Sequence, residues 1–280
     1  MAERKPIKSH GFRPKKRLGQ HFLKEKGFVH DIISRAGFSE SDPVLEIGAG
    51  LGALTLPLAK AVHHLFAVEK DEGLTERLME KLGREGIHNV TIIHGDILKL
   101  DFAETLAPIG EKINFIGNLP YNISSPLLEK LIQNRALVKR AILMFQFELA
   151  RRLIASPGTK AYGALTVLIQ YHARVSPLLE VPRSAFYPRP KVDAMVLELD
   201  FEQPHPRRAG DEVGFQRVVK GAFAHRRKTL LNSFMGIFSS SGREEVLEAL
   251  GKCGIDPGKR AETLTIDDFL CLTTAMAGLS

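Results

Sequence analysis

Up to residue 201 the chain alternates short apolar runs with amphipathic stretches. PVLEIGA (43–49), HLFAVEK (64–70), VTIIHGD (90–96), INFIGN (113–118) and KRAILMFQ (139–146) are rich in branched residues and bounded by Gly, Pro or polar side chains, a pattern that predicts buried strands. Helical periodicity fills 52–62, 71–85 and 124–135 between them. A β-α-β-α order of this kind predicts a parallel, doubly wound sheet with its ligand sites at the carboxyl ends of the strands. KVDAMVLELDF (191–201) reads as a late strand with mixed alternation.

Beyond residue 201 the pattern changes. QPHPRRAGDE (203–212) is polar and proline-bearing, and only helical periodicity follows. Apolar side chains at Val213, Phe215, Val218, Val219, Ala222 and Phe223 mark one helical face, and TIDDFLCLTTAM closes the chain as an amphipathic helix with Thr265 as its cap. The expectation is an α/β domain over 1–201, with a basic N-terminal arm, and a small all-helical domain over 202–280.

Composition adds little to the fold but something to the partner. With 44% hydrophobic and 25% charged residues in 280, the chain is not disordered over most of its length. Its formal charge is +7, and residues 1–30 hold nine basic and two acidic side chains, so the other 250 balance. A basic arm on a balanced body points to a polyanion, nucleic acid foremost. Cys253 and Cys271 are too few for a disulfide framework and lack zinc-ligand spacing, so they are expected to be two buried thiols in a reducing compartment. No apolar run reaches the roughly 18 residues of a membrane span, and the basic N-terminus lacks a signal-peptide apolar segment. A cytoplasmic protein with no membrane partner and no metal site is expected, and nothing demands more than a monomer.

The first candidate chemistry lies in VLEIGAGLGALT (44–55), which places Gly48, Gly50 and Gly52 in a strand-to-helix turn. Glycines there let backbone N–H groups approach a ligand closely. Read as G-x-G-x-x-A, the turn is compatible with a dinucleotide-binding dehydrogenase. Glu46 precedes the glycines, Glu69 closes the second strand and Asp96 the third. An acid at the second strand can accept from both ribose hydroxyls of an adenosine, and one at the third can accept from the adenine amine. NAD and S-adenosylmethionine share that adenosine, and the same acids could simply cap the helices that follow them.

The fourth strand ends in GNLPYNISSP (117–126). An exocyclic adenine amine is a poor nucleophile because its lone pair is delocalised into the ring. The side-chain oxygen of Asn118 and a main-chain carbonyl of Leu119–Pro120 can each accept one amine hydrogen, favouring a pyramidal nitrogen. Pro120 fixes the turn and offers no competing donor. Tyr121 supplies a face on which an extruded base can stack, worth roughly 1–3 kcal/mol.

Together with RLGQHFL (17–23), VEKD, HGDILKLDF, MFQFELARRL, KAYGALTVLIQY, VPRSAFYPRPKVDAMV and AFAHRRKTLLNSF, these motifs closely resemble the ribosomal RNA adenine dimethyltransferases of bacterial small-subunit type over about residues 10–235. The resemblance implies a Rossmann-like class I methyltransferase sheet, S-adenosylmethionine as methyl donor, and two adjacent adenosines near the 3′ end of 16S rRNA as substrates, each methylated twice on N6, in the small (30S) ribosomal subunit or its precursor. It implies donor contacts from His21, Leu23, Gly48, Glu69, Asp96 and Asn118, with Asn118 near the methyl group. His21 departs from the family, many members of which carry Asn there. Phe186 is expected on the opposite face of the target base from Tyr121. Arg189, Lys191, Arg226, Arg227 and Lys228 are expected at RNA phosphates, whereas Phe147 stands where relatives often have a basic residue. A macrolide-resistance-type 23S rRNA methyltransferase and a non-catalytic rRNA-binding assembly factor stay open as alternatives.

Overall fold

A computed structural model describes residues 14–15, 18–106, 109–225, 227–236, 238 and 242–279. The chain opens with β1 (Phe22–Leu23) and α1 (Lys26–Ala36), then alternates β2 (Val44–Ile47), α2 (Thr55–Ala59), β3 (Leu65–Glu69), α3 (Glu72–Arg84), β4 (Val90–His94), α4 (Phe102–Leu106), β5 (Ile113–Asn118), α5 (Ser124–Gln133) and β6 (Val138–Gln146). Next come α6 (Phe147–Leu153), α7 (Ala164–His172), β7 (Arg174–Val181), β8 (Phe186–Tyr187) and β9 (Ala194–Asp200), followed by α8 (Glu212–Ala222), α9 (Leu230–Phe234), α10 (Arg243–Lys252) and α11 (Ile266–Ala275).

The main sheet has seven strands in the order β4-β3-β2-β5-β6-β9-β7. β2 to β6 run parallel, as the sequence predicts, while β9 pairs antiparallel with both β6 and β7. Both faces are covered, which explains the near-continuous apolar runs. Leu45, Ile47, Phe115, Leu143 and Phe145 enter one core, whereas Val44, Ile116, Ile142 and Met144 enter a second with α1 and α2. The order reverses between β3-β2 and β5, and the crevice beside such a switch point is where open α/β sheets bind ligands.

The C-terminal helices join the first of these cores. Phe215 of α8 packs 4.3 Å from the Tyr171 ring of α7, and Phe223 packs against both Tyr162 and Phe269. Arg208 ties the junction by donating to the Tyr171 carbonyl and to Glu212. His172 lies buried beside this cluster, and burial holds its pKa down at about 4. Thr265 caps α11 as the sequence predicts. The cysteines correct the expectation of two separate thiols: Cys253, at the end of α10, is disulfide-bonded to Cys271 of α11. The helices pack side by side and bring together residues 18 apart, a proximity that spacing alone does not reveal.

Candidate active site and donor cavity

A cavity of about 910 Å³ opens at the carboxyl ends of β2, β3 and β5. Its walls include Glu46 within β2, Gly48 and Gly50 after it, Glu69 at the end of β3, Asp96 after β4, Asn118 at the end of β5, and Leu119 and Pro120 after it. A segment with Leu18, Gln20, His21 and Leu23 crosses one side. The turn after β2 is cut for close approach. Gly48 has φ +75°, and a Cβ on Gly52, at φ +77°, would lie 2.5 Å from Leu56 and 2.8 Å from Leu78. No other residue fits either position without strain.

Glu69 is 7% exposed. Its Oε2 accepts from the Gly50 N–H at 2.9 Å and its Oε1 from the Asp71 N–H at 2.8 Å, so each oxygen keeps acceptor capacity for a ribose hydroxyl. Burial pushes its pKa above the ordinary carboxylate value, against backbone N–H groups that favour the anion. Glu46 is still more enclosed. It is 1% exposed, Oε2 has no hydrogen-bond partner, and burial together with the charge of Glu69 pushes its pKa up to about 7.

Asp96 sits in a different setting. Oδ1 accepts from the Leu98 N–H and Oδ2 from the Lys70 ammonium at 2.8 Å. Burial alone would raise its pKa, but Lys70, the Leu98 N–H and the charge of Lys99 outweigh it and hold the carboxyl below its usual range. Asp96 therefore borders the cavity while it caps the turn after β4.

Asn118 is oriented by the crossing segment. Its Nδ2 donates to the main-chain carbonyl of His21 at 2.8 Å, which leaves Oδ1 as the free end of the carboxamide. The contact uses the backbone of His21, so the exchange of Asn for His there does not remove it. The His21 side chain has its own partner, the Pro188 carbonyl, 2.7 Å from Nδ1, and its ring lies 5.8 Å from that of Tyr121. The Pro120 carbonyl accepts from the Ile123 N–H in the turn, so it is the Leu119 carbonyl that stands beside Asn118 without a described partner. The Tyr121 hydroxyl is buried and unpaired, and burial followed by the charge of Asp193 pushes its pKa up to about 12.

Phe186 requires a correction. It is 2% exposed, pairs with Leu23 in the β1–β8 ladder and belongs to the core under α1, so it offers no face to a base. Side chains alternate along β8, and its neighbour Tyr187 points outward at the cavity rim. Among the expected phosphate contacts, Arg189, Lys191, Arg227 and Lys228 are exposed, and Arg226 lies outside the described residues.

The sequence reading also missed what holds the crossing segment down. Lys15 Nζ lies 2.7 Å from Asp71 Oδ1, and Gln20 donates to Asp71 Oδ2 at 3.1 Å. The only local signal was the capping role of Asp71, which accepts from the Gly73 N–H at the start of α3.

The cavity's chemistry fits an adenosine-bearing ligand with a cationic centre: a glycine cradle, two strand-end acids, and a buried carboxylate oxygen lacking a partner. Comparison with known proteins names the group to which this arrangement belongs. The family model described as ribosomal RNA adenine dimethylase matches residues 11–277. This chain belongs to the ribosomal RNA adenine dimethylase family. It is 45% identical over 270 residues to the ribosomal RNA small subunit methyltransferase A of Desulforapulum autotrophicum, covering 96% of this chain and 94% of that protein. The protein of the same name from Geobacter metallireducens is 42% identical, covering 98% and 99%. Among solved structures, a dimethyladenosine transferase from Plasmodium falciparum is similar with a TM-score of 0.78 and 29% identity, over 91% of this chain and 97% of that one. The 23S rRNA methyltransferase ErmE follows with a TM-score of 0.69 and 25% identity, over 91% and 99%. The sheet is thus that of a Rossmann-like S-adenosylmethionine-dependent methyltransferase, and membership of this family excludes the dehydrogenase reading of the glycine turn.

Proposed function

We propose that this enzyme methylates N6 of two adjacent adenosines near the 3′ end of small-subunit (16S) rRNA, twice each, within the small ribosomal subunit or its precursor. The observation that carries the chemistry is the pinned carboxamide of Asn118, a residue that lines the cavity and whose nitrogen is committed to the His21 carbonyl. S-adenosylmethionine supplies a methyl group already activated on a sulfonium sulfur.

Glu69 holds the ribose, Asp96 the adenine edge, and the backbone at Gly48, His21 and Leu23 the remainder of that ligand. Asn118 Oδ1 and the Leu119 carbonyl each accept one hydrogen of the target amine, which opposes delocalisation and aims the nitrogen lone pair. The same two oxygens stabilise the positive charge that nitrogen gains as its bond to carbon forms and the carbon–sulfur bond breaks with its electron pair left on sulfur, after which nitrogen releases one hydrogen to solvent as a proton; such preorganised dipoles contribute about 3–4 kcal/mol when one is tested by removal. Pro120 stiffens this turn, and Tyr121 stacks on a base drawn out of its helix, offsetting an unstacking cost of a few kcal/mol. Arg189, Lys191, Arg227 and Lys228 meet phosphates. For the second transfer one oxygen loses its hydrogen partner, so Asn118 or Leu119 alone retains a bond.

The test is transfer of labelled methyl groups to small-subunit particles lacking the modification, with the products digested and mapped. N6,N6-dimethyladenosine at adjacent positions of 16S rRNA is expected. Modification of 23S rRNA instead would favour the macrolide-resistance type, and binding without transfer would favour an assembly factor.

A further inference from the structure

Tyr187 is 59% exposed, yet its backbone is held from two sides. It pairs with Phe22 across the β1–β8 ladder, and the next residue's carbonyl, that of Pro188, lies 2.7 Å from His21 Nδ1. An aromatic ring left bare on a fixed support gains by covering its apolar faces. The ring borders the rim of the cavity that Asn118 and Pro120 also line, so whatever covers it is continuous with what enters the site. Arg189 and Lys191 are exposed on the same loop. A stacking face flanked by cations is the arrangement by which proteins hold unpaired nucleic acid strands.

We propose that Tyr187 is a second stacking platform, taking the nucleobase next to the target adenosine while Arg189 and Lys191 hold the phosphates beside it. The assignment rests on the rRNA reading above. Asn118 and Tyr121 fix the reacting base, whereas Tyr187, at the rim, fixes its neighbour and so sets how the strand is threaded. Stacking is indifferent to base identity, so the platform contributes position and affinity without reading sequence.

Tyr187→Ala and Tyr187→Phe are compared with the wild type for methyl transfer to unmodified small-subunit particles, with S-adenosylhomocysteine affinity measured by calorimetry to establish that each variant holds an intact cavity. Tyr187→Ala is expected to raise KM for the particle about tenfold, with kcat and S-adenosylhomocysteine affinity within about twofold. Tyr187→Phe is expected to restore KM, because a stack needs the ring and not the hydroxyl. A short oligoribonucleotide with 2-aminopurine adjoining the target adenosine is expected to be quenched by the wild type and Tyr187→Phe but not by Tyr187→Ala. An unchanged KM in Tyr187→Ala, quenching that survives the loss of the ring, or a Tyr187→Phe variant as poor as Tyr187→Ala overturns the proposal. A wild type that methylates no small-subunit particle would overturn the rRNA reading itself, a distinct outcome.

Discussion

The two ends of the cavity hold acids in or close to the ends of β2, β3 and β4 but treat them in opposite ways. At the inner end Glu46 and Glu69 are enclosed, Glu69 held by backbone N–H groups and Glu46 with one oxygen left without a partner, and burial raises the pKa of both. At the outer end Asp96 has a lysine at 2.8 Å and solvent nearby, and its pKa is lowered. Carboxyl groups close to the ends of neighbouring strands therefore stand in opposite environments. The inner acids keep acceptor capacity that a ligand can satisfy, whereas the outer one is already paired with Lys70.

This contrast makes a graded set of expectations. Glu69→Ala should weaken donor binding most, roughly tenfold to a hundredfold, because hydrogen bonds to a charged group contribute about 1.5–3 kcal/mol. Calorimetry with S-adenosylmethionine measures it, and an unchanged affinity would remove the ribose assignment. Asp96→Ala should weaken it by only about threefold to tenfold, within the range of an ordinary hydrogen bond of about 0.5–1.5 kcal/mol. An Asp96 effect as large as that of Glu69 would erase the distinction between the two ends.

Glu46 provides a pH signature. Its folded-state pKa of about 7 lies above the ordinary value of 4.5, so the folded protein binds more protons than the unfolded chain between those values. Its contribution is fully present below about pH 4.5 and is lost as pH rises through about 7. Glu46→Gln should flatten the fall in stability between pH 5.5 and pH 8 by about 2 kcal/mol, read from denaturant midpoints. A wild-type slope that survives the substitution would place the proton elsewhere. Smallest of all, Lys70→Met should change stability by less than about 1 kcal/mol, as expected for a half-exposed lysine paired at the surface, and salt should mimic it.

How much of this was legible in the sequence follows from how each feature is encoded. Strand-end groups such as Glu69, Asp96 and Asn118 were readable because a short apolar run fixes where a strand stops, and the next polar residue must then face the crevice. β7 was not, because Pro177 and the exposed residues around it interrupt the apolar pattern at the sheet edge. The crossing segment was half legible: GQHFL carried a family signature, but the pins from Lys15 and Gln20 to Asp71 span 56 and 51 residues and leave no local trace. Phe186 and Tyr187 mark the finest limit. One residue of register decides which ring faces water, and a two-residue strand pairing across more than 160 positions sets that register. The disulfide likewise depends on two helices meeting, which periodicity does not specify.

The proposed chemistry rests on the Asn118 carboxamide, fixed by the bond from its nitrogen to the His21 carbonyl, making a reluctant amine reactive through its oxygen. Single-turnover methyl transfer by Asn118→Ala, on unmodified small-subunit particles at saturating donor, tests it directly. A loss of at least about a hundredfold in the rate of transfer is expected. A rate equal to that of the wild type would contradict it.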